Sequence, residues 1–300
     1  MKDEYYMYRC LQLAKNGLLR AKPNPSVGAV IVSADDRIIG EGYTSAYGGP
    51  HAEVNAFRSV KPEDEPLLPG ATIYVSLEPC SHWGKTPPCC DLIIRKGVRR
   101  VVCGCVDPFA KVQGRGIRKI REAGIEVTVG VLEKECIESN IQFMTVNEKN
   151  RPYILLKWAQ TANGFIDDHF RPTMISTPWT QMLSHRLRAE YDSILVGHTT
   201  WDRDQPKLNV REWVGKDPKR FMISHDHPIP WDEMGQSLIV EGGAKTLQSF
   251  LDADLWDEIR MEIALDKTVT DGTHAPQVPA TAVIVRRELF DQQLILHFRR

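Results

Sequence analysis

Along the first 130 residues the apolar positions alternate between a helical period and short continuous runs. Residues 5–17 carry Tyr6, Cys10, Leu11, Leu13 and Ala14 at helical spacing and stop at Gly17, which predicts an opening helix. Pro23-Asn24-Pro25 breaks the chain. Apolar runs at 27–32 and 38–43, parted by Asp35-Asp36, predict a hairpin. Further on, the pattern predicts a helix over 51–60, a strand over 72–77, a helix over 91–96, a strand over 100–106, a helix over 117–123 and a strand over 125–131. This β-β-α-β-α-β-α-β order predicts an α/β layered domain.

Residues 133–145 form a polar, helix-compatible segment, and the last cysteine is Cys136. These two changes place an expected boundary between a domain 1–146 and a domain 147–300. The second half opens on a strong strand, 153–158, followed by the turn dipeptide Asn163-Gly164. Helices are expected over 178–189, with Thr177 as N-cap, and over 244–251. Strands are expected over 193–196, 221–224, 237–240, 258–264, 282–287 and 294–298. No repeat interrupts this alternation.

Composition narrows the picture. The 300 residues are 42% hydrophobic and 26% charged, with a net charge of −1, so no strong field draws the chain to nucleic acid or an anionic membrane. No apolar run is long enough to span a bilayer, and the segment Met1 to Tyr6 has no apolar targeting core, which leads to an expectation of a cytoplasmic protein. The seven cysteines are an odd number, as suits a chain whose thiols stay reduced. Cys10, Cys103 and Cys105 sit among apolar or small neighbours, as packed core thiols do.

Two of the remaining cysteines, Cys80 and Cys89, fall in a pattern that carries chemistry. His51-Ala52-Glu53 is followed by Pro79-Cys80 and Cys89. One imidazole and two thiols make the three-ligand set of a catalytic zinc site, with one position left open. Cys90 is the alternative to Cys89, and His82 is the nearest fourth ligand if the site is structural instead. Glu53 then stands beside the metal as a proton carrier. The order H-x-E, P-C, C is that of zinc deaminases acting on nucleobase-like rings. Between the cysteines, Lys85 and Thr86 offer a cation and a hydroxyl suited to a phosphate, or simply solvate the loop.

No G-x-G-x-x-G follows a strand in this chain, and Gly114-Arg115-Gly116 does not complete that pattern. Glu241-Gly242-Gly243, at a strand end before a helix, could hold a phosphate on the helix N-terminus, although Gly-Gly before a helix is common without one.

Residues 3–7, 23–28, 50–54 and above all the stretch from Leu77 through Cys90 resemble the bifunctional deaminase–reductase family of riboflavin biosynthesis. In the second half, Lys157 to Gly164, Ile194 to Thr200, Asp204 to Arg211 and Val240 to Gly243 are similar to the family's reductase domain. The resemblance implies a cytidine-deaminase-like three-layer domain followed by a dihydrofolate-reductase-like domain. It implies one zinc ion per chain on His51, Cys80 and Cys89, with Glu53 catalytic. It further implies hydrolytic deamination of a diaminopyrimidinone ribosylamine 5′-phosphate, then NADPH-dependent reduction of its ribosyl group. By position, Asn24 would touch the first substrate. Ala159, Thr200, Asp204 and Gly243 would touch NADPH, and Arg188, Leu208, Arg211 and Glu241 the sugar-phosphate. The partners so implied are small molecules, with homo-oligomers within the family's range and neither nucleic acid nor membrane involved.

Two departures stand out. The family has Asp-Gly where this chain has Asn163-Gly164, and the stretch 224–238 is too short for a further strand and helix before Glu241-Gly242-Gly243. The second domain is therefore expected to be shortened. Two other readings remain open: a deaminase whose second domain has lost reduction, and a nucleic-acid-binding module with structural zinc. His225 and His227 read as loop residues rather than ligands.

Overall fold

The computed structural model describes residues 2–83, 87–109, 113–224 and 228–300. The chain divides into two compact units, Met1–Asn150 and Arg151–Arg300.

The first unit is built on a five-stranded sheet. Its strands are β1 (Gly28–Val32), β2 (Ile38–Tyr43), β3 (Thr72–Leu77), β4 (Arg100–Cys105) and β5 (Glu126–Val129), in the order β2-β1-β3-β4-β5. β1 pairs antiparallel with β2 and β3, while β3, β4 and β5 run parallel. All five residues of β1 and the last five of β3 and β4 are buried, as expected for strands covered on both faces. One face carries α1 (Lys2–Ala14) and α5 (Glu133–Ser139). The other carries α2 (Ala52–Ser59), α3 (Cys89–Lys96) and α4 (Arg115–Glu122). This is the expected α/β three-layer arrangement.

The polar segment after β5 is two helices, α5 and α6 (Ile141–Lys149), with a break at Asn140. Asn140 is buried at that break because its amide serves another segment. Its Oδ1 accepts the Ser26 N–H at 2.8 Å and its Nδ2 donates to the Ser26 carbonyl at 3.0 Å. The next two N–H groups are held the same way, Val27 by Thr44 Oγ1 at 2.9 Å and Gly28 by Ser76 Oγ at 3.1 Å. Three side chains from three distant parts of the chain thus fix the loop that follows the cis Lys22–Pro23 peptide and carries Asn24.

The second unit is a seven-stranded sheet, β11-β12-β10-β6-β9-β7-β8. Its strands are β6 (Tyr153–Thr161), β7 (Ser193–Gly197), β8 (Lys219–Ile223), β9 (Ser237–Val240), β10 (Glu258–Ala264), β11 (Val283–Phe290) and β12 (Gln293–Arg299). β10, β6, β9, β7 and β8 run parallel, and β12 and β11 close one side antiparallel. The helices are α7 (Pro178–Glu190), α8 (His198–Asp204) and α9 (Ala244–Asp252). Thr177 caps α7 as expected, in a reciprocal capping box with Thr180. The pattern did not mark α8, which has no buried residue and so no apolar stripe to read. Between β8 and β9 the described residues form one helical turn, Trp231–Glu233, and β8 lies at the sheet's end. His225 and His227 lie outside the described residues.

One apolar cluster fills the side of this sheet that α9 covers, with Leu156, Trp158, Leu238, Val240, Leu247, Phe250 and Trp256. Trp256 is 1% exposed and is the largest fully buried side chain. Trp256→Ala is expected to destabilise this unit by roughly 3–5 kcal/mol, the usual loss of transfer energy plus the cavity left behind. Urea unfolding followed by a probe in the second unit would measure it.

Candidate functional site

The first unit brings His51, Cys80 and Cys89 together. One donor atom from each lies within 4.8 Å of the other two, the one such cluster of three among the described residues. His51 is the N-cap of α2, Cys80 comes just after the end of β3, and Cys89 is the first residue of α3. The His51 Nδ1 stands 3.6 Å from the Cys80 sulfur and 3.4 Å from that of Cys89. The Cys89 N–H, unsatisfied within its helix, donates to Cys80 Sγ at 3.2 Å. Soft thiolates with one imidazole suit zinc, and three protein donors leave a position open.

The open alternatives resolve on geometry. The Cys90 sulfur faces Asp91 at 3.6 Å and does not join the cluster. His82 does not join it either; its ring meets Phe109 edge-on at 5.8 Å between centroids. Lys85 and Thr86 lie outside the described residues. Asn24 lies half-buried in the clamped loop before β1.

Electrostatics at the cluster are governed by burial. Glu53 is 4% exposed, and that desolvation, with the Cys80 thiolate next, pushes its carboxyl up to about 7. The hydrogen bond with Cys80 raises His51 to about 9. The two thiols titrate as a pair: the hydrogen bond from Cys89, with that from His51 behind it, holds Cys80 well below the usual thiol range, and Cys89 is raised in return. A metal ion changes all of these values because its own charge becomes the largest one present.

In the second unit a cleft runs along the C-terminal ends of β6, β9 and β7, where parallel sheets ordinarily bind ligands. Of the residues expected here, Ala159, Arg188, Thr200, Asp204, Arg211, Glu241 and Gly243 all line it. Leu208 does not; its side chain is buried against Leu155, Ile194, Val196 and Ile239. Gly243 has φ +43 and caps α9, so the first N–H groups of that helix open into the cleft. That end of the cleft also carries Thr200, Lys245 and Thr246 beside apolar Ile166, Met222 and Ile223, a lining that fits a dinucleotide.

The other end is more polar. Arg188 forks onto Glu241, Nη2 to Oε2 at 2.7 Å and Nε to Oε1 at 3.4 Å, and reaches the Asn209 carbonyl at 3.4 Å. Burial pushes Glu241 up, but Arg188 and Lys157 overcome it and hold the carboxyl below its usual range. Lys157, His185 and Arg203 line the cleft too and were not singled out from the sequence. Lys157 sits on β6 two residues before Ala159, so strand alternation from Ala159 pointed to it. Arg203 binds the adjacent Asp204 carboxylate at 2.7 Å and buried Asp167, 36 residues away in sequence, at 3.2 Å. Asn163 uses its amide both ways against Val269, accepting its N–H at 3.3 Å and donating to its carbonyl at 2.7 Å, which the family's aspartate could not do.

Metal analysis should show one zinc per chain in the wild type and in Cys90→Ser, and a loss in His51→Ala and Cys89→Ser. For Glu241 the folded pKa is the depressed one, so its contribution to stability is complete above the unfolded value near 4.5 and is lost as pH falls below it. Denaturant midpoints between pH 7 and pH 3.5 should fall less steeply in Glu241→Gln than in the wild type.

A family model described as the cytidine and deoxycytidylate deaminase zinc-binding region matches residues 1–105, and one described as the RibD C-terminal domain matches residues 152–234. Riboflavin biosynthesis protein RibD of Aquifex aeolicus is 43% identical over 76% of this chain and 63% of its own length. RibD of Bacillus amyloliquefaciens is 34% identical over 92% of this chain and 74% of its own length. The chain thus spans less than two thirds of the Aquifex protein and of the Escherichia coli RibD, of which 56% is matched. A crystal structure of a diaminohydroxyphosphoribosylaminopyrimidine deaminase/5-amino-6-(5-phosphoribosylamino)uracil reductase from Thermotoga maritima is similar with a TM-score of 0.88, at 34% identity, over 99% of this chain and 98% of that one. Acinetobacter baumannii RibD is similar with a TM-score of 0.88 at 28% identity. With a zinc cluster and a dinucleotide-compatible cleft on the expected elements, the chain belongs to the RibD family of riboflavin biosynthesis proteins.

Proposed function

We propose that this protein deaminates a diaminopyrimidinone ribosylamine 5′-phosphate in its first unit, domain 1–146 by sequence, and reduces the ribosyl group to ribityl in its second, domain 147–300. The observation that carries the first activity is a buried Glu53 beside a three-donor cluster. His51, Cys80 and Cys89 would hold zinc, which when bound would supply the Lewis acid that activates a water at neutral pH. Glu53 takes the water's proton and delivers it to the exocyclic amine, which leaves as ammonia. Asn24, in its clamped loop, orients the ring, and Lys85 and Thr86 meet the phosphate.

NADPH supplies the hydride for the second activity. Ala159, Thr200, Asp204 and Gly243 would hold it; Thr200 and Gly243 line the α9 end of the cleft, and Ala159 and Asp204 the adjoining part. Arg188, Arg211 and Glu241 hold the sugar-phosphate at the other end, with Leu208 shaping that end through the core behind it. Lys157 adds a cation there, one whose pKa burial pulls down. A phosphate on Arg188 would share the guanidinium with Glu241, whose fixed carboxylate orients the fork for two oxygens.

The same reading covers small-molecule partners, homo-oligomers and the cytoplasm. All seven cysteines are unpaired, which suits a reducing compartment, and no helix among the described residues is long and apolar enough to cross a membrane. The single helical turn that the described residues form between β8 and β9 favours a second reading, a deaminase whose cleft no longer reduces. A nucleic-acid module with structural zinc has no support in a net charge of −1.

Ammonia release and NADPH oxidation, monitored separately on the diaminopyrimidine ribotide, test the proposal. Glu53→Gln should keep its zinc and lose ammonia release by about 10²–10⁴-fold. It should still oxidise NADPH when given the deaminated compound. Ammonia without any NADPH oxidation would instead establish the deaminase-only reading.

A further inference from the structure

Next to the metal cluster lies a buried carboxylate that the deamination chemistry does not use. Glu78 ends the run from β3 into Pro79-Cys80 and is 4% exposed. Four backbone N–H groups point at it. Its Oε1 accepts from Gly116 at 2.9 Å and Ile117 at 3.3 Å, and its Oε2 from Gly114 at 2.8 Å and Asp107 at 3.3 Å. Three of these belong to the N-terminus of α4, whose dipole favours an anion there. All four partners are donors, so the cradle requires an acceptor at both oxygens. Among the described residues no lysine or arginine forms an ion pair with it.

A second contact presses on the same peptide. A Cβ built on Gly116 would stand 2.1 Å from the Pro79 carbonyl oxygen, so the first turn of α4 lies directly against the residue before Cys80. On the other side, the Glu78 N–H donates to the Cys105 carbonyl at 3.0 Å. The peptide that presents Cys80 is held between β4 and α4.

We propose that Glu78 is a positioning residue for zinc, acting through the Pro79-Cys80 backbone. A cysteine has one side-chain torsion before its sulfur, so the place of Sγ is set chiefly by its backbone. Zinc–sulfur distances tolerate only about 0.2 Å, and supporting groups behind ligands typically change metal affinity 10–100-fold when lost. Glu78 links this tolerance to α4, a helix that contributes no ligand. The inference rests on the zinc reading of His51, Cys80 and Cys89.

The test uses the full chain loaded with Co²⁺, and zinc competition against a chelator. Glu78→Gln keeps the shape but turns one acceptor into a donor facing two N–H groups. Gly116→Ala keeps Glu78 and wedges the Pro79 carbonyl. Both variants are expected to weaken zinc 10–100-fold and to shift the visible Co²⁺ ligand-field bands while far-UV circular dichroism stays native. Wild-type zinc affinity and Co²⁺ bands in both, with only a lowered melting temperature, would reduce Glu78 to a helix cap and overturn the inference. If Glu78→Gln fails to fold, Gly116→Ala decides alone by the same two readouts. A wild-type chain that binds neither metal overturns the zinc reading and the inference together, whereas a metal-binding wild type with unchanged variants overturns the inference alone.

Discussion

Three chain segments must stop at one point for two sulfurs and an imidazole to meet. Here a helix begins at His51, a strand has just ended before Cys80, and another helix begins at Cys89. Each terminus leaves backbone groups unsatisfied, and the site spends one of them within itself, in the Cys89 N–H that meets the Cys80 sulfur. The sheet decides where these ends lie. Because β3 is central and paired on both sides, its last residue cannot drift, and Glu78, Pro79 and Cys80 inherit that fixity.

The second unit solves a similar problem with charge. Its cleft gathers cations, yet Arg188 is nearly enclosed. A lone buried guanidinium would be costly, so Glu241 accompanies it, and the pair sits beside Lys157 on a neighbouring strand. The same residue that opens the Glu-Gly-Gly turn therefore also keeps the arginine paired and aimed.

Element order was readable because apolar runs on both sheets are long and bounded by turn residues. The cluster of His51, Cys80 and Cys89 was readable because an imidazole and two thiols in that order have no packing role that would explain them. Other features left no such trace. α8 lies on the surface with no apolar stripe. Leu208 looks like any leucine in sequence, and its burial behind the cleft depends on partners far along the chain such as Leu155. Arg203 and Asn140 act through pairings 36 and 114 residues distant, which no local pattern encodes.

The clamp on Ser26 bears on how the first unit is made. Its two halves are 114 residues apart, so closing it means ordering nearly the whole unit. On a growing chain, β1 and β2 can pair early, but the lip that carries Asn24 stays unfastened until the break between α5 and α6 has left the ribosome. The loop that carries Asn24 is thereby among the last parts of the unit to set.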